Sequence, residues 1–173
     1  MSEEHSGESL LKVQDLSISI REGVKTYIAV DRISYEVQKG EVLGMVGESG
    51  CGKTVTNLAV MGLLPPVLSI SGGSILYDGR ELTGLSEEER QKLSGNEISM
   101  IYQEPLTSLN PLIRIGDQVG ESLLIHHPEI GKEERNARVL QALTEVGLPD
   151  PKEVIRLYPH QLSGGMRQRV CIA

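Results

Sequence analysis

At 173 residues the chain has the length of one domain, and 39% apolar with 24% charged residues is the balance of a core-forming protein, not of a disordered tail or a membrane-embedded one. Twenty-four acids against 17 bases leave a net charge of −7, which argues against a surface that neutralises nucleic-acid phosphates while leaving room for one small basic pocket. With no Phe, no Trp and five Tyr the core must come from Leu, Ile and Val, and Cys51 and Cys171 are too few for a disulfide scaffold and stand in no metal-ligand spacing.

Residues 1–9 read as a loose polar tail without a secretory signal. Leu16, Ile18 and Ile20, and then Ile33, Tyr35 and Val37, alternate with polar residues, which predicts half-buried antiparallel strands. Val42 to Val46 is a nearly unbroken apolar run and predicts a strand covered on both faces. A helical pattern follows from Lys53 to about Leu64. The uncharged stretch Leu58 to Ile70 is too short to span a bilayer and is broken by Pro65-Pro66. Ser74 to Tyr77 before Asp78-Gly79 predicts a strand entering a tight turn. Ser86 with Glu87 to Glu89 behind it predicts a helix start, and Ile98 to Tyr102 another short strand. The second half predicts helices over Ile115 to His126 and Glu133 to Val146. The latter carries Val139, Leu140, Leu143 and Val146 on one face and Gly147 as its cap. A last helix opens after Leu162-Ser163-Gly164-Gly165.

Gly47-Glu48-Ser49-Gly50-Cys51-Gly52-Lys53-Thr54 fits G-x-x-x-x-G-K-[ST], a match that a shuffled chain of this composition gives roughly once in a hundred. The chemistry needs these residue types. Glycines let successive backbone N–H groups turn inward around phosphate oxygens, and the following helix adds its positive end. Lys53 reaches the β- and γ-phosphates, and the Thr54 hydroxyl ligates Mg²⁺. The competing reading, a glycine-rich turn joining strand to helix, is weighed down by the motif's place after a buried-type strand. Cys51 has no His or acid paired with it by spacing and reads as a small filler of the loop.

Leu162-Ser163-Gly164-Gly165-Met166-Arg167-Gln168-Arg169 taken alone is an N-cap with a flexible lead. Together with the phosphate loop, and with Gln103 after Ile98 to Tyr102, it resembles the nucleotide-binding subunit of an ABC transporter. The resemblance runs from about Leu11 to the last residue. Tyr102 to Pro111, Ile115-Gly116-Asp117-Gln118 and Tyr158-Pro159-His160-Gln161 are similar to the dipeptide/oligopeptide importer branch, with which nickel-importing relatives share much.

The resemblance implies an α/β fold. It would be a P-loop core with an antiparallel β portion and a helical subdomain over about residues 105–161, within a partial nucleotide-binding domain over residues 10–173. It implies that Gly47 to Thr54 hold ATP and that Thr54 and Gln103 contact Mg²⁺. Leu162 to Met166 would be the signature motif, with Ser163, Gly164 and Gly165 binding the γ-phosphate of ATP held by a second, head-to-tail subunit. Transmembrane permease subunits would dock on the region after Gln103 and the helices to Val146, which implies a peripheral place on the cytoplasmic face of the membrane. No nucleic-acid partner is expected.

Three departures from the family pattern stand out. The aromatic such subunits stack on adenine falls at Ile20 or its neighbours, none of them aromatic, with Tyr27 nearby as either the stacking ring or an ordinary strand-edge residue. The fifth signature position is Met166 where Gln is commoner. The strand ending in the acidic Mg²⁺ partner and the catalytic glutamate, and the switch histidine, have no counterpart up to Ala173, so the chain as given is expected to be C-terminally incomplete and not to turn over ATP at a transporter-like rate. His5, His126, His127 and His160 all read as surface residues. Two other readings compete with the peptide importer: a soluble ABC ATPase of DNA repair or translation, and a catalytically silent nucleotide-binding fragment.

Overall fold

Alternating β-branched residues near the start form a long hairpin, the frame of the first of two units. The computed structural model describes residues 9–102 and 108–173. The predicted tail lies outside the described residues except for Ser9, and so does Gln103. The chain divides into one unit ending at Ser94 and another beginning at Gly95.

In the first unit β1 (Ser9–Glu22) pairs antiparallel with β2 (Lys25–Gln38) and, on its other edge, with β3 (Leu68–Tyr77), which pairs with β4 (Arg80–Glu81). The order β2-β1-β3-β4 makes β1 the covered strand. Val13, Leu16 and Ile18 are buried with Ile75 of β3, each such side chain contributing about 1.5–3 kcal/mol relative to exposure. The step from Val13 to Leu16 breaks the period of two because Asp15 (φ 47°) and Arg32 (φ 46°) leave the extended conformation. Ser34 Oγ accepts the Asp15 N–H at 2.8 Å and Ser17 Oγ the Arg32 N–H at 3.1 Å, so these irregularities keep their backbone donors satisfied. Asp78 (φ 47°) and Gly79 (φ 77°) form the predicted tight turn into β4.

Two helices complete this unit. α1 (Lys53–Met61) stops earlier than Leu64, because Gly62 turns left-handed and sends its N–H, and that of Leu63, back to Ala59 and Leu58. α2 (Glu87–Leu93) starts at Ser86 as expected, with a reciprocal capping box between Ser86 and Glu89.

Two expected strands are absent. Val42 to Val46 is not a strand, and Val42 and Val46 are each 94% exposed. An apolar run becomes a central strand only where neighbouring strands supply its hydrogen bonds, and the strand pairs among the described residues all lie in the antiparallel sheet. Ile98 to Tyr102 fails for the same reason. Ile98 is only an isolated bridge residue, whose carbonyl takes the Gly95 N–H at 2.9 Å, and Ile101 and Tyr102 are exposed.

The second unit is helical: α3 (Ile115–Val119), α4 (Glu121–His126), α5 (Lys132–Glu145), α6 (Pro151–Val154), a 3₁₀ turn (Pro159–Gln161) and α7 (Gly164–Ile172). Its core joins Ile115, Val139, Leu143, Leu148, Val154, Leu162 and Val170. Within α5 the predicted face holds, with Val139 and Leu143 buried, Val146 packed on the core and Leu140 half-buried. The single helix expected over Ile115 to His126 is two. Gly120 (φ −79°, ψ −6°) stands between them, still in the right-handed helical region, where a β-carbon would come 3.1 Å from the Gly116 carbonyl and 3.3 Å from a Val139 methyl. Among the described residues no helix is long and apolar enough to cross a membrane.

Candidate phosphate-binding sites

The first candidate site is the loop 47–54, which runs into α1 in the first unit. Gly50 (φ 83°) and Gly52 (φ 96°) both adopt the left-handed conformation that side chains disfavour. Gly52 is constrained twice, because a β-carbon there would come 2.9 Å from the Val30 Cγ2 methyl. At Gly47 an added β-carbon would meet Cys51 Sγ at 2.7 Å. These contacts define a tight backbone cradle. Gly52 is the residue before α1, and no side chain caps that helix start, so its first-turn N–H groups remain available to an anion. Thr54, in that first turn, is exposed.

Lys53 Nζ donates to the carbonyl oxygens of Gly47 and Glu48, both at 2.7 Å, and lies 3.3 Å from Cys51 Sγ. The ammonium therefore sits within the loop rather than out in solvent. Its hydrogen bond to the Cys51 thiol favours the thiolate and holds that group below the usual thiol range. Cys51 is thus exposed and polarised, a property its spacing gave no sign of.

Strand register decides which residues share the face that Val30 presents to Gly52. Ile18 stands opposite Val30, Ser19 opposite Ile28, and Ile20 opposite Tyr27, so Ala29 is an extra residue in β2. On the other edge of β1 the same three residues face Ile70, Ser69 and Leu68 without a break. Directly opposed residues share a face, and Ile18 and Ile20 share one. Tyr27 and Val30 therefore lie on the same side of the sheet, the side whose Val30 methyl packs on Gly52. Tyr27 is 47% exposed, while Ile28 belongs to the opposite face with Ser19 and Ser69.

The second candidate site is the start of α7 in the second unit. Ser163 is its N-cap, and Ser163 Oγ accepts the Met166 N–H at 3.3 Å, which leaves the hydroxyl proton to donate elsewhere. Gly164 and Gly165 occupy the first two helical positions, whose N–H groups have no intrahelical acceptor. An added β-carbon at either would meet nothing within 4 Å, so both open on free space. Leu162 and Met166, grouped with them in the sequence reading, do something else. Leu162 is 5% exposed within the core and Met166 packs against it. The motif thus divides into two apolar anchors and three exposed residues able to donate hydrogen bonds. Gln103 falls outside the described residues, and among the described residues no group of three or more His, Cys, Asp or Glu is placed to hold a metal ion.

A family model described as ABC transporter matches residues 30–173. The chain is 47% identical over 167 residues to the dipeptide transport ATP-binding protein DppD of Bacillus subtilis (strain 168), covering 96% of this chain and 50% of that protein. To the oligopeptide transport ATP-binding protein OppD of the same organism it is 45% identical over 165 residues, 95% of this chain and 46% of that one. The chain spans about half the length of these curated relatives. A bacterial ABC transporter cassette solved in dimeric form superposes with a TM-score of 0.81 at 24% identity, over 94% of this chain and 67% of that one. That likeness identifies the fold as the cassette fold.

Proposed function

The chain belongs to the ABC transporter family, and from that premise we propose that its loop 47–54 binds Mg²⁺-ATP as part of the ATP-binding subunit of a peptide importer. The observation that carries the proposal is the cradle itself: left-handed Gly50 and Gly52, an uncapped start to α1, and a lysine ammonium held inside the loop. These residues suit a triphosphate, which needs convergent N–H donors and a cation. Thr54 supplies the hard oxygen donor that Mg²⁺ prefers, with Gln103 proposed as a second. Bound Mg²⁺ would neutralise phosphate charge. The protein's share is to orient the triphosphate with backbone amides and to set Lys53 against its terminal oxygens.

Tyr27 is proposed as the surface on which the base rests, since it shares the loop-side face with Val30. Ser163, Gly164 and Gly165 are proposed to donate to the γ-phosphate of ATP held by a second copy in a head-to-tail pair. The names of the relatives, dipeptide and oligopeptide transport ATP-binding proteins, support a peptide as cargo; transmembrane permease subunits are proposed as partners, with the chain at the cytoplasmic face of the membrane. The test is titration of the chain with a fluorescent ATP analogue in Mg²⁺, with Lys53→Ala alongside. Saturable binding that the substitution weakens is expected, and binding equal in both would refute the proposal. Recovery of permease subunits from detergent extracts with the chain as bait tests the partner.

A further inference from the structure

The helix that presents Ser163, Gly164 and Gly165 is held from its other end. Leu162, Met166 and Val170 recur at four-residue spacing and face the core. Such a ridge chooses which side of α7 turns inward, but a flexible methionine in it resists axial sliding poorly. Arg169 stands beside that ridge and reaches the end of α5. Its Nη1 donates to the Gly147 carbonyl at 2.7 Å and to the Val146 carbonyl at 3.4 Å. The last N–H groups of that turn already serve other acceptors, Gly147 to Thr144 at 2.9 Å and Leu148 to Leu143 at 3.1 Å. The carbonyls of Val146 and Gly147 lie at the negative end of α5, where a cation is favoured. Gly147 permits the approach, since at φ 70° a β-carbon would stand 3.1 Å from Nη1.

We propose that Arg169 is a positioning residue, whose bond to the end of α5 fixes the axial placement of α7 and so the aim of Ser163, Gly164 and Gly165. Six residues of helix, about 9 Å, separate Ser163 from Arg169, so a shift at one end appears undiminished at the other. Phosphate-binding donors lose most of their effect when displaced by about 1 Å. The inference rests on the reading of Ser163 to Gly165 as a phosphate-binding edge.

Two measurements on the full chain, with Arg169→Ala and Arg169→Lys, decide it. Hydrogen exchange read by mass should quicken roughly three- to tenfold over the bonded amides of residues 166–168 in Arg169→Ala and stay unchanged in β1 and β3, with Arg169→Lys recovering most of the protection because an ammonium can still reach the Gly147 carbonyl. Mg²⁺-ATP-driven self-association, followed by sedimentation, should weaken by a similar factor in Arg169→Ala while affinity for ATP at the phosphate loop holds. Unchanged exchange over 166–168 in Arg169→Ala, quickened exchange throughout the second unit, or no recovery with lysine would overturn the proposal. Should the parent chain not self-associate with ATP, the phosphate-edge reading fails, while the exchange comparison still decides the role of Arg169.

Discussion

Lys53 Nζ lies 2.7 Å from the carbonyl oxygen of Gly47, so the loop's cation is bound by the loop's own first residue. A triphosphate entering the cradle must draw the ammonium from the Gly47 and Glu48 carbonyls to itself, and does so because a charged acceptor outcompetes neutral ones. Lys53→Ala removes that contact, which contributes on the order of 1.5–3 kcal/mol. The expected loss is roughly ten- to a hundredfold in ATP affinity by equilibrium titration.

Tyr27→Ala should weaken ATP binding roughly two- to tenfold, the range of an aromatic stacking contact of about 0.5–1.5 kcal/mol. Ile28→Ala should leave it unchanged, because that side chain belongs to the other face of the sheet. Equal losses in both variants would mean that the base does not rest on Tyr27.

The Cys51 thiol gives a pH-dependent readout. Its hydrogen bond to Lys53 lowers its pKa, so the thiolate forms at lower pH than in an ordinary cysteine. The rate of alkylation by iodoacetamide should rise with pH through a midpoint below that of an ordinary free cysteine. Lys53→Ala should move the midpoint up, and saturating Mg²⁺-ATP should slow the reaction in the parent chain. A midpoint at the free-thiol value would show that the contact does not persist in solution.

At the start of α7 two substitutions should part company. Leu162→Ala empties a core position and is expected to cost about 2–5 kcal/mol, seen as a lower unfolding midpoint in urea. Gly164→Ala adds a methyl group to open space and should leave the midpoint nearly unchanged while abolishing ATP-driven self-association. A large stability loss at Gly164 would contradict the division of the motif into anchors and donors.

The capping box of α2 predicts a stability profile. Ser86 N–H and Oγ donate to Glu89 Oε2 at 2.9 and 2.8 Å, and these bonds depress the Glu89 pKa below 4.5. A carboxylate whose folded pKa lies below its unfolded value stabilises above the unfolded pKa, and that contribution fades as pH falls through the folded one. Stability should drop on acidification below about pH 4.5, and Glu89→Gln should remove that part of the drop. Ser86→Ala should cost about 1 kcal/mol at neutral pH, read by denaturant titration.

Local chemistry was legible in the sequence, and long-range pairing was not. The phosphate loop, Ser86, the Asp78-Gly79 turn, the apolar face of α5 with its Gly147 cap, and Ser163 at the start of α7 all declare themselves through short-range geometry. Val42 to Val46 has the composition of a buried strand, yet no composition supplies the neighbouring strands that would make it one. Gly120 separates two helices whose apolar pattern continues through it, and its close approach to Val139 of α5 is a tertiary contact that the local pattern does not carry. Nothing in the local sequence around Arg169 indicates its bond to the end of α5, which lies 22 residues away along the chain. Tyr27 could not be assigned a face, since counting back from Val30 by twos reaches Ile28.

The extra residue at Ala29 makes the outer half of β2 sensitive to parity. Removing Ala29 would let the ladder run without a break, with Ile28 still opposite Ser19 and Tyr27 still opposite Ile20, so no side chain of this stretch would change sides. Closing the bulge with Ala29 retained would do the opposite: Ala29 would stand opposite Ser19 and Ile28 opposite Ile20, and Tyr27 would face away. The bulge absorbs one residue of length, and its presence, not the composition of the strand, is what sets the tyrosine's side.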